Sequence, residues 1–244
     1  MPSRWRACTP AWICAASSER PQQAVAAHLP AIKALLWVLG LAPLARLVMA
    51  GIWGLWGGLG ANPVELVTRS TGTWTLVCLC ITLAITPLRR LTGWTWLIRL
   101  RRLCGLFAFF YGTLHALTYV WFDQYFDLTA ILKDIVKRPF IMMGAAAFVL
   151  MVPLAITSTQ GMIRRLGRQW GRLHRLIYVV AVAAILHYAW HKSGKNDYAQ
   201  VAVYAVIVAA LLGSRLVTWL KRRPQLRHAG TQSAQPASEG RPRD

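Results

Sequence analysis

Two histidines lie deep within apolar segments of this chain. His115 stands in LFAFFYGTLHALTYVWF, and His187 stands in LIYVVAVAAILHYAWH. Histidine is costly in the hydrocarbon of a membrane, so a histidine there marks a functional site by default. Two imidazoles that face each other across a helix bundle can supply both axial ligands of a haem iron. The residues therefore predict a membrane-embedded, electron-carrying cytochrome of the b type.

Counting along the helices supports this pairing. The predicted span that holds His115 begins near Leu103, which puts the histidine about 18 Å into the membrane at the helical rise. The span that holds His187 begins near His174, which puts that histidine about 20 Å in. Both spans run in the same direction, so the two imidazoles lie at the same depth. The alternative is that each histidine only hydrogen-bonds a neighbouring helix.

The composition is that of an integral membrane protein. The chain has 244 residues, of which 56% are hydrophobic, and its mean hydropathy is positive. Segments of about 17–25 apolar residues can cross a bilayer as helices. Six segments meet this criterion: 31–53, 72–88, 103–122, 139–157, 174–191 and 198–220. We therefore predict an all-α integral membrane fold, a six-transmembrane-helix bundle.

Three prolines help to place the helix ends. Pro87 is expected to close the second span. Pro139 suits the first turn of the fourth span, where the missing N–H costs nothing. Pro153 lies inside the fourth span and is expected to kink it.

The placement of the basic residues sets the orientation. The net charge is +20, and most Lys and Arg residues fall in the N-terminal stretch, the second-to-third loop, the fourth-to-fifth loop and the C-terminal tail. The opposite side carries five of the acids: Glu65, Asp123, Asp127, Asp134 and Asp197. The positive-inside rule then puts both termini in the cytoplasm of a multi-pass protein in a bacterial inner membrane. A nucleic-acid surface is not expected, because the charge does not lie on a folded soluble face.

The chain divides into three parts. Residues 1–30 are expected to be a disordered cytoplasmic extension without a cleaved signal peptide. Residues 31–222 form the transmembrane domain, and residues 223–244 are a polar cytoplasmic tail. No internal repeat is evident, and the cysteines form neither a disulfide framework nor a zinc site.

Two further side chains are candidate cofactor contacts. His174, at the start of the fifth span, would ligate a second haem, line a quinone or flavin site, or cap the helix. Its separation from His187 turns it about 140° away from that face. Arg46, in the first span, would pair with a haem propionate or snorkel to the interface. His191, one turn beyond His187, is expected at the interface, as a solvated residue, a ligand or an exit for electrons.

Basic residues stand where a second haem would need another histidine. The third span carries Arg101 and Arg102 at that level, and an arginine can pair with a propionate but does not ligate haem. The basic loops 99–102 and 164–175 would hold membrane lipids, a flavin phosphate or an acidic donor protein, or would only set the topology.

Several stretches in order resemble the MsrQ (YedZ) family of the ferric-reductase-like transmembrane group. The stretches that carry the resemblance, over roughly residues 31–222, are GGLGANPVELVTRSTG, ITPLRR, LIRLRRLCGL, TLHALTY, KRPFIMMG and TSTQGMIRRLGRQWGRLHRLIYVVAVAAILHYAW. Single pieces are weak evidence, whereas the ordered series with a histidine in each expected span is specific.

This resemblance implies a function that composition does not show. The family binds haem b through histidines that match His115 and His187, with His174 also implicated, and FMN is associated with it. Electrons would come from the quinone pool or a cytosolic flavin reductase. They would leave to a periplasmic molybdopterin-containing methionine-sulfoxide reductase that repairs oxidised envelope proteins. The chain would then be a non-catalytic electron-transfer subunit.

Two alternatives remain at the level of sequence. One is another transmembrane haem reductase or quinol oxidase. The other is a transporter subunit whose histidines relay protons or bind substrate, which would be expected to show interrupted spans and paired repeats. The chain has no G-x-G-x-x-G after a strand and no P-loop. A partner or a quinone must therefore supply the electrons.

Overall fold

The computed structural model of this chain describes residues 28–194 and 198–232, the stretch 222–232 by its backbone alone. These residues form helices joined by short turns. The helices are α1 (Leu29–Trp53), α2 (Pro63–Thr92), α3 (Ile98–Thr118), α4 (Leu128–Lys137), α5 (Pro139–Ile156), α6 (Gln160–Leu166), α7 (Arg168–Leu173), α8 (Leu176–Ser193) and α9 (Ala199–Gln232). A π-helical turn, Tyr119–Asp123, follows α3 directly.

Six helical stretches are long and apolar enough to cross a membrane, which confirms the predicted architecture. They are Leu29–Trp53, Pro63–Thr92, Thr95–Asp123, Pro139–Ile156, Arg168–Ser193 and Ala199–Lys221. Because the spans alternate in direction, their connections gather at two ends of the bundle. We call the end with connections 89–102 and 157–175 the basic end, and the end with residues 54–65 and 119–138 the acidic end.

The second span begins well before the predicted residue 72. The Asn62 side chain accepts a hydrogen bond from the Glu65 backbone N–H at 3.2 Å, and Pro63 occupies the first turn, so the helix has a complete N-terminal cap. The hydroxyl of Thr71 donates to the Val67 carbonyl at 2.8 Å. The polar segment lies outside the predicted span, but the Thr71 hydroxyl is satisfied within the helix itself.

The prediction that Pro87 closes the second span is wrong. Pro87 lies inside α2, which continues to Thr92 and ends at Gly93 in the left-handed conformation, with φ of 73°. Membrane helices tolerate an internal proline because neighbouring groups can satisfy the freed carbonyl. Pro139 does lie in the first turn of α5, as predicted, and Pro153 lies inside that helix near its end.

Two antiparallel helix pairs form the centre of the bundle. α2 packs along α3, and α5 packs along α8, while α3 also contacts α5. The shared core includes the fully buried side chains of Leu79, Leu83, Tyr111 and Val180. α1 lies against α3, where the Tyr111 hydroxyl donates to the Gly40 carbonyl at 2.6 Å. The two pairs therefore bring α3 and α8, the helices that carry the candidate histidines, to one shared core.

Three short helices, α6, α7 and one other, were not predicted, because none is long enough to span a membrane. The longest of them has ten residues. It is α4, at the acidic end, and Asp127 caps it by accepting hydrogen bonds from the Thr129 and Ala130 backbone N–H groups at 2.8 and 3.1 Å. A hydrogen bond from the Thr129 hydroxyl, at 2.7 Å, together with these two backbone bonds, holds the pKa of the Asp127 carboxyl below its usual range. One side of α4 exposes Leu128, Leu132 and Val136. This pattern is typical of a helix that lies in the membrane interface.

The structure describes part of the predicted C-terminal tail but little of the predicted N-terminal extension. The last helix does not end at residue 220 but continues to Gln232, so the first part of the polar tail is helical. The predicted N-terminal extension, apart from its last residues, lies outside the described residues.

Candidate functional site

The rings of His115 and His187 meet in the middle of the two helix pairs. Their centroids are 6.0 Å apart, and the ring planes are inclined at 79°. The equal depths that the sequence predicts for the two histidines are therefore confirmed. Both side chains are partly buried. One extends from α3 and the other from α8, and the two rings face each other.

Each imidazole is fixed by one backbone carbonyl. Nδ1 of His115 lies 3.0 Å from the Thr68 carbonyl oxygen of α2, and Nδ1 of His187 lies 2.6 Å from the Phe140 carbonyl oxygen of α5. A carbonyl oxygen only accepts, so in both rings Nδ1 carries the proton and donates it. The Nε2 atom of each neutral ring then keeps its lone pair, which is the form in which histidine binds a metal.

A glycine lies against each ring. A Cβ atom added to Gly72 would be 3.0 Å from Cε1 and 3.1 Å from Nδ1 of His115. A Cβ added to Gly144 would be 2.8 Å from Nδ1 and 2.9 Å from Cε1 of His187. Such separations are shorter than ordinary van der Waals contact. The absence of a side chain at these two positions therefore lets each imidazole rest directly on the neighbouring helix.

The two halves of the site repeat one another. In both, the carbonyl that holds the ring lies 47 residues before the histidine, and the glycine follows that carbonyl by one helical turn. Thr68 and Gly72 thus serve His115 as Phe140 and Gly144 serve His187. No internal repeat is evident in the sequence, because the two helix pairs share little except this spacing of glycine and histidine. That spacing was the signal available to find the two glycines.

His174 lies apart from this pair, towards the basic end. Its ring stacks on Trp170, with centroids 3.9 Å apart, and its Nδ1 lies 3.1 Å from the Trp170 carbonyl oxygen. Its Nε2 is buried and has no hydrogen-bond partner among the described residues. No ring contact or hydrogen bond within the described part of the chain joins His174 to His115 or His187.

The other two candidates lie at the margins of the site. The ring of His191 is 5.7 Å from that of Phe140, the residue whose carbonyl holds His187. Arg46 lies on an exposed face of α1, and no hydrogen bond or ion pair joins it to the histidine pair within the described residues. The structure therefore brings His115 and His187 together but not Arg46.

A separate cleft of about 770 Å³ opens at the acidic end between α2 and α9. Arg69, Thr73 and Trp74 line it from α2, and Gln200 and Tyr204 line it from α9. Neither histidine is among its lining residues. α2 thus contacts His115 on one face and borders the cleft on another.

The histidine pair fits a six-coordinate haem iron in its donor set and its spacing. Two metal–imidazole bonds of about 2 Å, with about 1 Å from each nitrogen to its ring centre, give a centroid separation of about 6 Å. The observed separation is 6.0 Å. Both Nε2 atoms are available, and the backbone carbonyls act as the outer partners that orient metal-binding imidazoles.

Comparison with known proteins defines the class. Residues 71–185 match the family described as the ferric reductase like transmembrane component. The matched segment contains Gly72, His115 and Gly144 and ends just before His187. The match covers most of the two central helix pairs, so the fold is that of a ferric-reductase-like membrane domain.

Curated relatives narrow the class to one family. The chain is 58% identical to a protein of Ralstonia nicotianae over 195 residues, which cover 80% of this chain and 88% of the relative. It is 55% identical to a protein of Herminiimonas arsenicoxydans over 206 residues, covering 84% and 93%. Both relatives are named protein-methionine-sulfoxide reductase haem-binding subunit MsrQ. The chain belongs to the MsrQ family. No solved structure matches it.

Proposed function

We propose that this chain binds haem b between His115 and His187 and transfers electrons as the membrane subunit of a methionine-sulfoxide reductase system. The observation that carries the proposal is the pair of imidazoles 6.0 Å apart, each with Nδ1 engaged by a carbonyl. The names of the relatives give independent support, because they describe a haem-binding subunit.

The residues of the chain have three tasks in this function. His115 and His187 hold the iron, and the carbonyls of Thr68 and Phe140 keep both rings in the tautomer that binds it. The apolar helices around the pair exclude water, which tunes the reduction potential. When bound, haem supplies reversible one-electron chemistry at its iron.

We further propose the route of the electrons. The donor is the quinone pool or a cytosolic flavin reductase, and the acceptor is a periplasmic molybdopterin-containing reductase of methionine sulfoxide in envelope proteins. Two observations support this route. The relatives are named as a subunit of a reductase, and the connections at the basic end are rich in arginine. These connections favour a cytoplasmic basic end and two cytoplasmic termini in the bacterial inner membrane. The acidic end, nearer to the histidine pair, would then face the acceptor.

The remaining cofactor predictions belong to the same proposal. A second haem on His174, a propionate contact from Arg46 and a bound FMN follow from the family resemblance and the residue types. The unpartnered Nε2 of His174 supports a ligand near that residue. Acid extraction followed by flavin fluorescence would detect FMN, and the haem-to-protein ratio would give the number of haems.

Haem quantification on four variants tests the ligand assignment. We expect His115→Ala and His187→Ala to lose the haem and His174→Ala to lose at most part of it, measured by the Soret and reduced α bands relative to protein. His28→Ala, at the exposed start of α1, is the control and should keep full haem content. Wild-type haem content in both His115→Ala and His187→Ala would remove the basis of the proposal.

Co-purification tests the partners. A tagged chain expressed with a candidate periplasmic molybdoenzyme should retain that enzyme, and the reduced haem should reoxidise when the enzyme and a methionine-sulfoxide substrate are added. A haem that is reduced by quinol, stays reduced with the enzyme and its substrate, and is oxidised by oxygen would favour the quinol-oxidase alternative.

A further inference from the structure

A second cluster of polar side chains lies inside the bundle near the basic end. Arg215 of α9 reaches across to two other helices. Its NH1 donates to the Tyr178 hydroxyl of α8, and its NH2 donates to the Leu83 carbonyl of α2 at 2.8 Å. The guanidinium carbon lies 5.0 Å from the centre of the Tyr178 ring. Arg215 is therefore drawn into the space between helices and does not extend directly to water.

Other cationic groups surround Arg215. Arg101 of α3 interacts electrostatically with Arg215 and Tyr178 and with His174. One turn after Arg215, the Thr218 hydroxyl accepts a hydrogen bond from Arg90 of α2. Arginine residues from α2, α3 and α9 thus converge on one region, beside the histidine that starts the fifth span. We call Arg90, Arg101, His174 and Arg215 the basic cluster.

The basic cluster has no counter-charge within the described residues. The described carboxylates all lie at the acidic end, on Glu65, Asp123, Asp127 and Asp134. Arg101 has no hydrogen bond or ion pair with any described residue. Two buried nitrogens, Nε of Arg215 and Nε2 of His174, also lack a partner there. Like charges brought together at membrane depth without an anion are strongly unfavourable.

We propose that the basic cluster binds the phosphate group of an anionic phosphate ester at the basic end of the bundle. Arg101 and Arg215 are each about 9 Å inside the basic ends of their spans at the helical rise, and arginine side chains of this kind reach towards the phosphate level of a leaflet. A phosphate offers several acceptor oxygens and a charge that guanidinium groups match. It would supply the anion that the described residues lack.

Two sources can provide this group. One is a phospholipid of the leaflet at the basic end, whose phosphate lies at the right height. The other is a water-soluble phosphate ester that enters from the adjacent aqueous side. The basic cluster would recognise the same phosphate group in both cases. The source is therefore identified by whether the extracted phosphorus enters an organic or an aqueous phase. This inference does not depend on the haem between His115 and His187, because none of its residues holds that pair.

The test compares bound phosphorus in the purified full-length chain and its variants. After exhaustive detergent exchange, protein is extracted with chloroform and methanol, and phosphorus is measured in both phases. We expect about one retained phosphate per chain in the wild type. Phosphorus in the organic phase identifies a lipid, and phosphorus in the aqueous phase identifies a soluble ester.

Three substitutions make the comparison specific. Arg101→Gln and Arg215→Gln each remove a charged donor and should weaken binding about tenfold or more. Arg101→Lys keeps the charge and should retain a larger part of the phosphate than Arg101→Gln. Arg99→Gln, at an exposed position of the same helix, should keep the wild-type amount. Native mass spectrometry with added phosphatidylglycerol measures the affinities if the source is a lipid.

The results separate this inference from the proposed function. The haem held by His115 and His187 is measured on the same samples and should be retained in Arg101→Gln, which also shows that the variant is folded. A wild type without retained phosphorus overturns the inference, whatever the variants do. Equal phosphorus in wild type, Arg101→Gln and Arg215→Gln overturns it as well, as does an equal loss in Arg99→Gln.

Discussion

The glycines that lie against the imidazoles provide the sharpest test of the site. In Gly144→Ala, the new Cβ would be 2.8 Å from Nδ1 of His187, whereas relaxed contacts begin at about 3.5 Å. The ring must therefore move by about 0.7 Å, or α5 must move away from α8 by that amount. At Gly72 the corresponding distance to His115 is 3.0 Å, and the required movement is about 0.5 Å.

Movement of the ring acts on the metal-binding form of His187. It stretches the hydrogen bond from Nδ1 to the Phe140 carbonyl, which is 2.6 Å long, and it tilts Nε2 away from the other imidazole. Inserting a methyl group into a packed region typically costs about 1–3 kcal/mol. If this cost destabilises the haem-bound protein but not the haem-free protein, the affinity for haem decreases by about 5- to 150-fold. We expect the larger effect in Gly144→Ala and the smaller one in Gly72→Ala.

The assay is a haem titration of apo-protein, followed by low-spin electron paramagnetic resonance and a redox titration of the loaded variants. A tilted ligand should shift the g-values and the midpoint potential even where haem is retained. Gly213→Ala is the matched control, because a Cβ at that membrane-helix position meets nothing within 4 Å. Spectra and affinity identical to wild type in Gly144→Ala would refute the reasoning, and so would an equal change in Gly213→Ala.

Three further predictions concern the frame around the site. In Gly40→Ala the new Cβ would be 2.5 Å from the Phe107 ring, so the contact of α1 with α3 should weaken by about 1–3 kcal/mol; an unchanged melting temperature in detergent would contradict this. Tyr111→Phe removes the hydrogen bond to the Gly40 carbonyl and should cost about 1 kcal/mol, seen as a lower unfolding midpoint in the same assay. The pKa of Asp127 is lowered in the folded chain, so its contribution to α4 is complete at neutral pH and is lost as the pH falls through that lowered pKa. Amide exchange of α4 that does not accelerate in acid, relative to its rate near neutrality corrected for intrinsic exchange, would exclude this role.

The histidine pair could be predicted from the sequence because helical rise converts residue counts into depth. Once the spans holding His115 and His187 are assumed to start at the same face, their positions follow from geometry. Counting depth along one helix could not identify Gly72 or Gly144, because the contact of a glycine with a ring on another helix depends on how the helices cross; only the repeated spacing of glycine and histidine in the two halves indicates them. Periodicity within one helix does not contain that information.

The start of α2 was missed for a related reason. A hydropathy criterion treats Thr71 and the polar residues before it as a loop, although the Thr71 hydroxyl bonds to a carbonyl of the same helix. In the sequence, Arg215 is only a charge inside the sixth predicted span. Its role in the basic cluster depends on Tyr178 and the Leu83 carbonyl, which come from two other helices and are far away in the chain.

The equivalence of the two helix pairs has a consequence for how such a site can arise. α2 with α3, and α5 with α8, each provide one carbonyl, one glycine and one histidine at the same spacing. Two identical copies of one such hairpin, associated about a two-fold axis perpendicular to the membrane, would present the same paired imidazoles. A homodimer of short two-helix subunits would therefore supply the same carbonyls, glycines and histidines, and gene duplication with fusion would convert that dimer into a single chain that keeps this spacing while its halves diverge elsewhere.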